Sequence, residues 1–181
     1  MPIPMNEQQN DEQHLTENVE RWIQTLEDSD PELRGHAARA LGLLGAVPEN
    51  SVPALTLLLA DEHGAVRVQA AESLAEFGDE AATAVPELIL ALSDREQTVR
   101  CSAARALGSI GPRAFPSVPA LVLALEDADA ELSIALTGGL AGIGPDADAA
   151  IPALTKLLGH QNESVVKAGR RAIEQIGDGS L

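Results

Sequence analysis

The sequence predicts an all-α protein, an α-solenoid of five helical-hairpin repeats of 33 residues each. Three observations predict it: residue columns that return at one fixed interval, two helical stripes of apolar residues within each interval, and an apolar fraction that is almost wholly aliphatic. Self-similarity at a period of this length marks a stacked-repeat fold. Val19, Val52, Val85, Val118 and Ile151 stand 33 residues apart, and the last four are followed by Pro53, Pro86, Pro119 and Pro152. Gly45, Gly78, Gly111, Gly144 and Gly177 keep the interval, as do Leu33, Val66, Val99, Leu132 and Val165, and Leu41, Leu74, Leu107, Leu140 and Ile173. The units so defined are 17–49, 50–82, 83–115, 116–148 and 149–181, one continuous repeat domain over 17–181.

Each unit reads as first helix, turn, second helix and cap. In the third, Val85, Leu88, Ile89 and Leu92 follow i, i+3, i+4 and i+7 spacing, and after a polar turn Val99, Ala103, Ala106, Leu107 and Ile110 repeat the stripe. The recurring proline suits the first turn of the first helix, where its missing N–H is harmless. Side chains in turns such as Asp28-Ser29-Asp30-Pro31 can cap the second helix. The recurring glycine suits a left-handed cap at its end. Alanine columns, Ala37, Ala70 and Ala103 with Ala38, Ala71 and Ala104, let second helices approach closely. A lone hairpin cannot bury its apolar face, so each unit depends on its neighbours. Trp22 shares the column of Leu55, Leu88, Leu121 and Leu154 and is expected in the core. Residues 1–16 have no such pattern and too little apolar content to fold alone; a flexible acidic tail is expected there.

Composition narrows the function classes. Twenty-eight acidic against 12 basic residues give a formal net charge of -16, which repels phosphate backbones and anionic lipid, so neither nucleic acid nor a membrane is an expected partner. No apolar run approaches the ~20 residues of a membrane span, and the first residues lack the basic and apolar parts of a secretory leader; a cytoplasmic monomer is expected. The one cysteine, Cys101, cannot form an internal disulfide. With no activating pattern beside it, it reads as a small packing residue.

The segments DSDPELRGHAARALGLLG (28–45), DEHGAVRVQAAESLAEFG (61–78) and DREQTVRCSAARALGSIG (94–111) resemble the second half of HEAT repeats, in particular the short phycobilisome-lyase-like subtype, and the likeness runs over roughly residues 17–178. The resemblance implies a right-handed superhelix with first helices on the convex face and second helices on the concave one. It also implies that the turn Asp and the Arg six positions on pair with each other and with nearby backbone, in a ladder along the stack: Asp28 with Arg34, Asp61 with Arg67, Asp94 with Arg100. Ser133 replaces the arginine in the fourth unit, and His160 and Val166 replace both partners in the fifth, so the ladder is expected to end early. Relatives on this scaffold include bilin lyases and di-iron hydroxylases. The His-Glu dipeptides that ligate iron in the latter do not occur here, and no metal, cofactor or catalytic residue is expected.

What remains is a protein-interaction scaffold or adaptor that holds a protein partner, one with a basic segment among the candidates, on second-helix positions that vary between repeats. Those candidates are His36, Arg39, Leu43, Gln69, Glu72, Glu76, Ser102, Arg105, Ser109, Ile134, Ala135, Lys167 and Arg171. Arg39, Glu72 and Arg105 fall in one row and are expected to form a surface ion-pair ladder. In the fourth unit, Gly138 and Gly139 lie mid-helix, each costing up to about 1 kcal/mol relative to alanine. Either close helix packing needs the room, or Ile134, Ala135, Gly138 and Gly142 form a shallow apolar patch. The alternative function, implied by the resemblance, is an accessory subunit or chaperone-like factor of a lyase acting on a tetrapyrrole-carrying protein.

Overall fold

A computed structural model of the chain describes residues 5–177, with side chains from His14 onward. Among the described residues there are ten α-helices and no strand: α1 (Met5–Thr25), α2 (Pro31–Leu44), α3 (Pro48–Leu57), α4 (Gly64–Glu76), α5 (Val85–Ala91), α6 (Gln97–Ile110), α7 (Val118–Ala124), α8 (Ala130–Ile143), α9 (Ile151–Leu157) and α10 (Glu163–Gly177). Odd-numbered helices are the first helices of the five units and even-numbered ones the second. The helical course of α1 from Met5 differs from the tail expected over 1–16. That stretch is rich in Glu and Gln, good helix formers that continue the register of the packed part. Burial against the stack begins further on, at Val19.

Proline and glycine punctuate the units with one refinement. Pro86, Pro119 and Pro152 sit in the first turns of α5, α7 and α9. Those helices are only seven residues long, because the preceding segments Gly78–Ala84, Gly111–Ser117 and Gly144–Ala150 are 3-10 helical. The second unit lacks that lead: Pro48 starts α3 early and leaves Pro53 inside it. Gly45 ends α2 in the left-handed conformation, φ 55° and ψ 26°, as expected. Gly111 and Gly144 also have positive φ, 72° and 78°, but ψ near -145° turns the chain directly into the 3-10 lead, a conformation that only glycine adopts at little cost.

Second helices pack directly on second helices, α2 on α4, α4 on α6, α6 on α8 and α8 on α10, whereas successive first helices meet largely through the 3-10 segments. The tighter layer is the inner one, so the stack curves toward the even-numbered helices. Leu41, Leu74, Leu107 and Leu140 are fully buried in it, as are Leu55, Leu88, Leu121 and Leu154 of the first helices. Trp22, expected beside them, is 37% exposed, and Leu33 is 44% exposed. Both belong to the first unit, at one end of their columns.

The arginine ladder forms, but between units rather than within them. The Arg34 guanidinium donates from Nε and Nη2 to the two carboxylate oxygens of Asp61, at 2.7 and 2.9 Å, and from Nη1 to the Asp28 carbonyl at 2.8 Å. Arg67 repeats the pattern on Asp94, at 2.7 and 2.8 Å, and on the Asp61 carbonyl at 2.8 Å. Each turn Asp meanwhile folds its own turn by accepting the N–H two residues on, Asp61 from His63 and Asp94 from Glu96. That contact orients the carboxylate so that both its oxygens meet the arginine of the previous unit. Burial opposes ionisation of Asp61 and Asp94, yet the arginine hydrogen bond, the turn N–H and the guanidinium charge outweigh it and hold both carboxyls below their usual range.

The third rung stays open. Arg100 donates to the Asp94 carbonyl at 2.7 Å, but no ion pair joins it to Asp127. In that turn the capping residue Asp129 has ψ near 180°, against 115° to 124° at Asp30, His63 and Glu96, and takes the Leu132 N–H itself. The turn is thus closed by Asp129 rather than Asp127. In the fifth turn, His160 Nδ1 accepts the Asn162 N–H, preserving the fold of the turn without the charge.

Candidate partner-binding surface

The α2, α4 and α6 helices expose one side to the concave face, where they bound a groove of about 480 Å³. Eight of the thirteen sequence-selected residues line it: Arg39 and Leu43 from α2, Gln69, Glu72 and Glu76 from α4, and Ser102, Arg105 and Ser109 from α6. They meet because positions 33 residues apart fall on equal faces of neighbouring parallel helices. Leu43 is 73% exposed, the most accessible apolar group of the concave layer.

The expected ion-pair ladder does not form. Arg39, Glu72, Glu76 and Arg105 are exposed, and no ion pair within 4 Å joins any of them among the described residues. Side chains on adjacent helices stand one interhelix distance apart, about 8–10 Å, and here the chains do not bridge it. The groove therefore offers two guanidiniums and two carboxylates with their hydrogen-bonding groups free. At its base lies Ser73, 2% exposed, whose hydroxyl has no hydrogen-bond partner. Gly42 makes room for it, since a Cβ there would stand 2.8 Å from the Ser73 side chain.

The other candidates disperse. Ile134 and Arg171 line another, smaller groove of about 390 Å³ between α8 and α10, together with Gly138, Gly142 and Gln175. Its base carries another buried hydroxyl without a partner, that of Thr137. Ala135, selected as a contact, is 5% exposed and belongs to the core, because α8 lies close enough to α6 to cover a methyl group. His36 is exposed but lines neither groove, and Lys167 is held by Glu163 at 2.8 Å one turn away. Cys101 is 1% exposed, and burial, then the Glu131 charge, raise the pKa of its thiol, as befits a packing residue.

The paired glycines divide the two explanations offered for them. A Cβ on Gly139 would stand 2.5 Å from the Ala104 carbonyl oxygen, and one on Gly142 would collide with the Gly108 backbone, so both are required by the approach of α8 to α6. Gly138 faces open space. It simply removes from the fourth unit the side chain that Arg39, Glu72, Arg105 and Arg171 supply in the others.

The HEAT-repeat family matches over residues 19–85 and 52–132, more than half of the chain. This chain is a HEAT-repeat protein. No curated protein matches it in sequence. Among solved structures, an engineered protein is 28% identical over 88% of this chain and 79% of its own length, with a TM-score of 0.71. The complex of CpcE and CpcF of phycocyanin lyase from Nostoc sp. PCC7120 includes a chain 29% identical to this HEAT-repeat protein, with a TM-score of 0.79 over 88% of the latter. The match spans 65% of the lyase chain's length. A designed armadillo repeat protein in complex with the peptide (KR)4 is 19% identical, with a TM-score of 0.70 over 96% of this chain and 95% of its own, and shows the shared fold alone. No helix among the described residues is long and apolar enough to cross a membrane.

Proposed function

We propose that this HEAT-repeat protein is a non-catalytic scaffold that holds an extended segment of a protein partner in the groove of α2, α4 and α6. The observation that carries the reading is the row Arg39, Glu72, Arg105, whose charges stand unpaired one helix apart in a groove that also exposes Leu43. Unpaired charges in register are available to a ligand at no cost of breaking internal bonds. An extended chain advances about 3.3 Å per residue, so it passes one helix about every three residues. The segment that fits best alternates acidic, basic and acidic groups at that spacing and places an apolar side chain against Leu43. Gln69 and Ser109, both partly exposed, supply donors and acceptors for its backbone, whereas Ser102, a sequence-selected contact, is 2% exposed and packs at the base of the groove. The net charge of -16 favours the approach of a partner that is basic elsewhere.

The test is recovery of partners on immobilised protein. Arg39→Glu with Arg105→Glu reverses two of three charges in the row at exposed positions, and the double variant should lose a partner that the wild type retains. Unchanged recovery of every partner would sink the reading. A second reading is favoured by the likeness to a chain of the phycocyanin lyase complex: an accessory subunit acting with a lyase on a tetrapyrrole-carrying protein. Added bilin should then show a shifted absorption band in the presence of the protein, and an unshifted spectrum removes this option.

A further inference from the structure

The first-helix layer has a surface that the concave groove does not use. Leu57, Leu90 and Leu123 occupy one position in three consecutive repeats, at or near the C-terminal ends of α3, α5 and α7, and are 77%, 74% and 67% exposed. One turn earlier, Pro53, Pro86 and Pro119 are exposed beside them. The row is bounded, for the equivalent residues of the first and last units are Gln24 and Lys156. A single exposed leucine needs no explanation, but three in register across adjoining repeats make one apolar patch. Between Leu90 and Leu123 the surface dips into a groove of about 460 Å³, floored by Ile89, Ala120 and Leu132. Arg100 and Asp127, the rung that does not close, stand at its edge.

Spacing, backbone chemistry and charge select the occupant. Directly packed helices lie about 8–10 Å apart, and the first helices, which meet through the intervening 3-10 segments, stand at or beyond that distance, close to the roughly 10.5 Å covered by seven residues of α-helix. A helix lying along the stack thus returns an apolar residue to each leucine once per heptad. Leucine, proline and alanine also offer nothing to backbone N–H and C=O groups, which a helix satisfies internally and an extended chain does not. Glu87, Glu126 and Asp127 are exposed around the row, so the polar side of the occupant is basic, and a second copy of this acidic chain is disfavoured. We infer that the leucine row on α3, α5 and α7 docks an amphipathic helix of a partner protein, apolar at heptad spacing on one face and basic on the other.

The probe is a synthetic 21-residue helix-forming peptide with leucine at heptad spacing and lysine and arginine elsewhere, titrated by fluorescence anisotropy against the full chain. Saturable 1:1 binding with a gain in peptide helicity is expected. The triple variant Leu57→Ser, Leu90→Ser, Leu123→Ser alters only exposed side chains, and its circular dichroism and melting confirm the fold. It should bind about tenfold more weakly or worse, while Arg39→Glu with Arg105→Glu binds the peptide as before. Equal binding by the triple serine variant overturns the inference, as does equal binding of a peptide of the same composition with scrambled register. So does a wild-type dimer that the triple variant dissolves in sedimentation, because the row would then belong to a second copy.

Discussion

Two adjacent glycines in α8 should respond to the same substitution with opposite sign. Gly138→Ala places a methyl group in open space, with nothing within 4 Å, so only the backbone term remains. Replacing a mid-helix glycine by alanine is worth up to about 1 kcal/mol, which for a chain of this size raises Tm by about 2–4 °C. Gly139→Ala gains the same term but sets its Cβ 2.5 Å from the Ala104 carbonyl oxygen and 3.3 Å from its carbon. That oxygen belongs to the backbone of α6 and cannot rotate away, so α6 and α8 must separate by several tenths of an ångström along a tightly packed interface. Overpacking of this kind costs about 1–3 kcal/mol, and dispersion lost along the opened interface adds to it. The net expectation is a loss of about 1–2 kcal/mol for Gly139→Ala, beside a gain for Gly138→Ala. Urea unfolding followed at 222 nm, with thermal melts as a second probe, measures both. If Gly139→Ala proved as stable as Gly138→Ala, the reading of α6 and α8 as a close backbone contact would be wrong.

Asp94→Asn removes the carboxylate that Arg67 grips in two places, leaving the buried guanidinium only Glu96 at 3.3 Å as a charged partner, and should lower stability by about 1–3 kcal/mol in urea titrations. The folded pKa of Asp61 and of Asp94 lies below the unfolded value near 3.9, so the unfolded chain takes up protons first as pH falls. The ladder's contribution is therefore constant above about pH 5 and lost progressively down through the depressed folded values, and Asp94→Asn should flatten this acid limb. Ser73→Ala and Thr137→Val remove buried hydroxyls that have no partner, and each should leave stability unchanged or raise it by up to about 1 kcal/mol, with a fall in the urea midpoint as the contrary result. Cys101 is buried and its thiol pKa raised, so a thiol reagent should label it only at the rate of unfolding, and fast labelling of the native protein would contradict its placement.

Periodicity made the fold legible, because a residue that recurs every 33 positions states its environment five times over. It could not say what happens at the ends. Trp22 and Leu33 belong to core columns yet are partly exposed in the first unit, at one end of those columns. Periodicity also left the partner of each arginine open: with an aspartate in every early turn, spacing alone does not distinguish a pair within a unit from one between units. The turn decides it, for the His63 N–H fixes the Asp61 carboxylate in an orientation where both its oxygens accept from Arg34 of the preceding unit. The concave candidates were legible as variable positions, and eight of them share one groove, whereas the burial of Ala135 depends on how closely α8 approaches α6, a distance no pattern of residue types specifies. Leu57, Leu90 and Leu123 were readable as a column all along, but a leucine column reads as core until its exposure is known.

The two devices that couple the repeats change over at one junction. Arg34 with Asp61 joins the first unit to the second, and Arg67 with Asp94 joins the second to the third. Between the third and fourth units the expected rung is open, and there Gly108, Gly139 and Gly142 bring α6 and α8 into backbone contact. Gly42 also brings α2 against the Ser73 backbone, so a charged rung and close approach coexist at the first junction, where side chains still line the concave groove. The close approach of α8 to α6 buries Ala135, and Gly138 carries no side chain where the other units carry a charge, so the concave face of α8 is small and apolar. On the outer side, the unpaired Arg100 and Asp127 border the groove between Leu90 and Leu123. One change in turn geometry, at Asp129, accompanies both effects: it takes Asp127 out of the ladder, and close packing of α8 takes over the coupling that the ladder gives up.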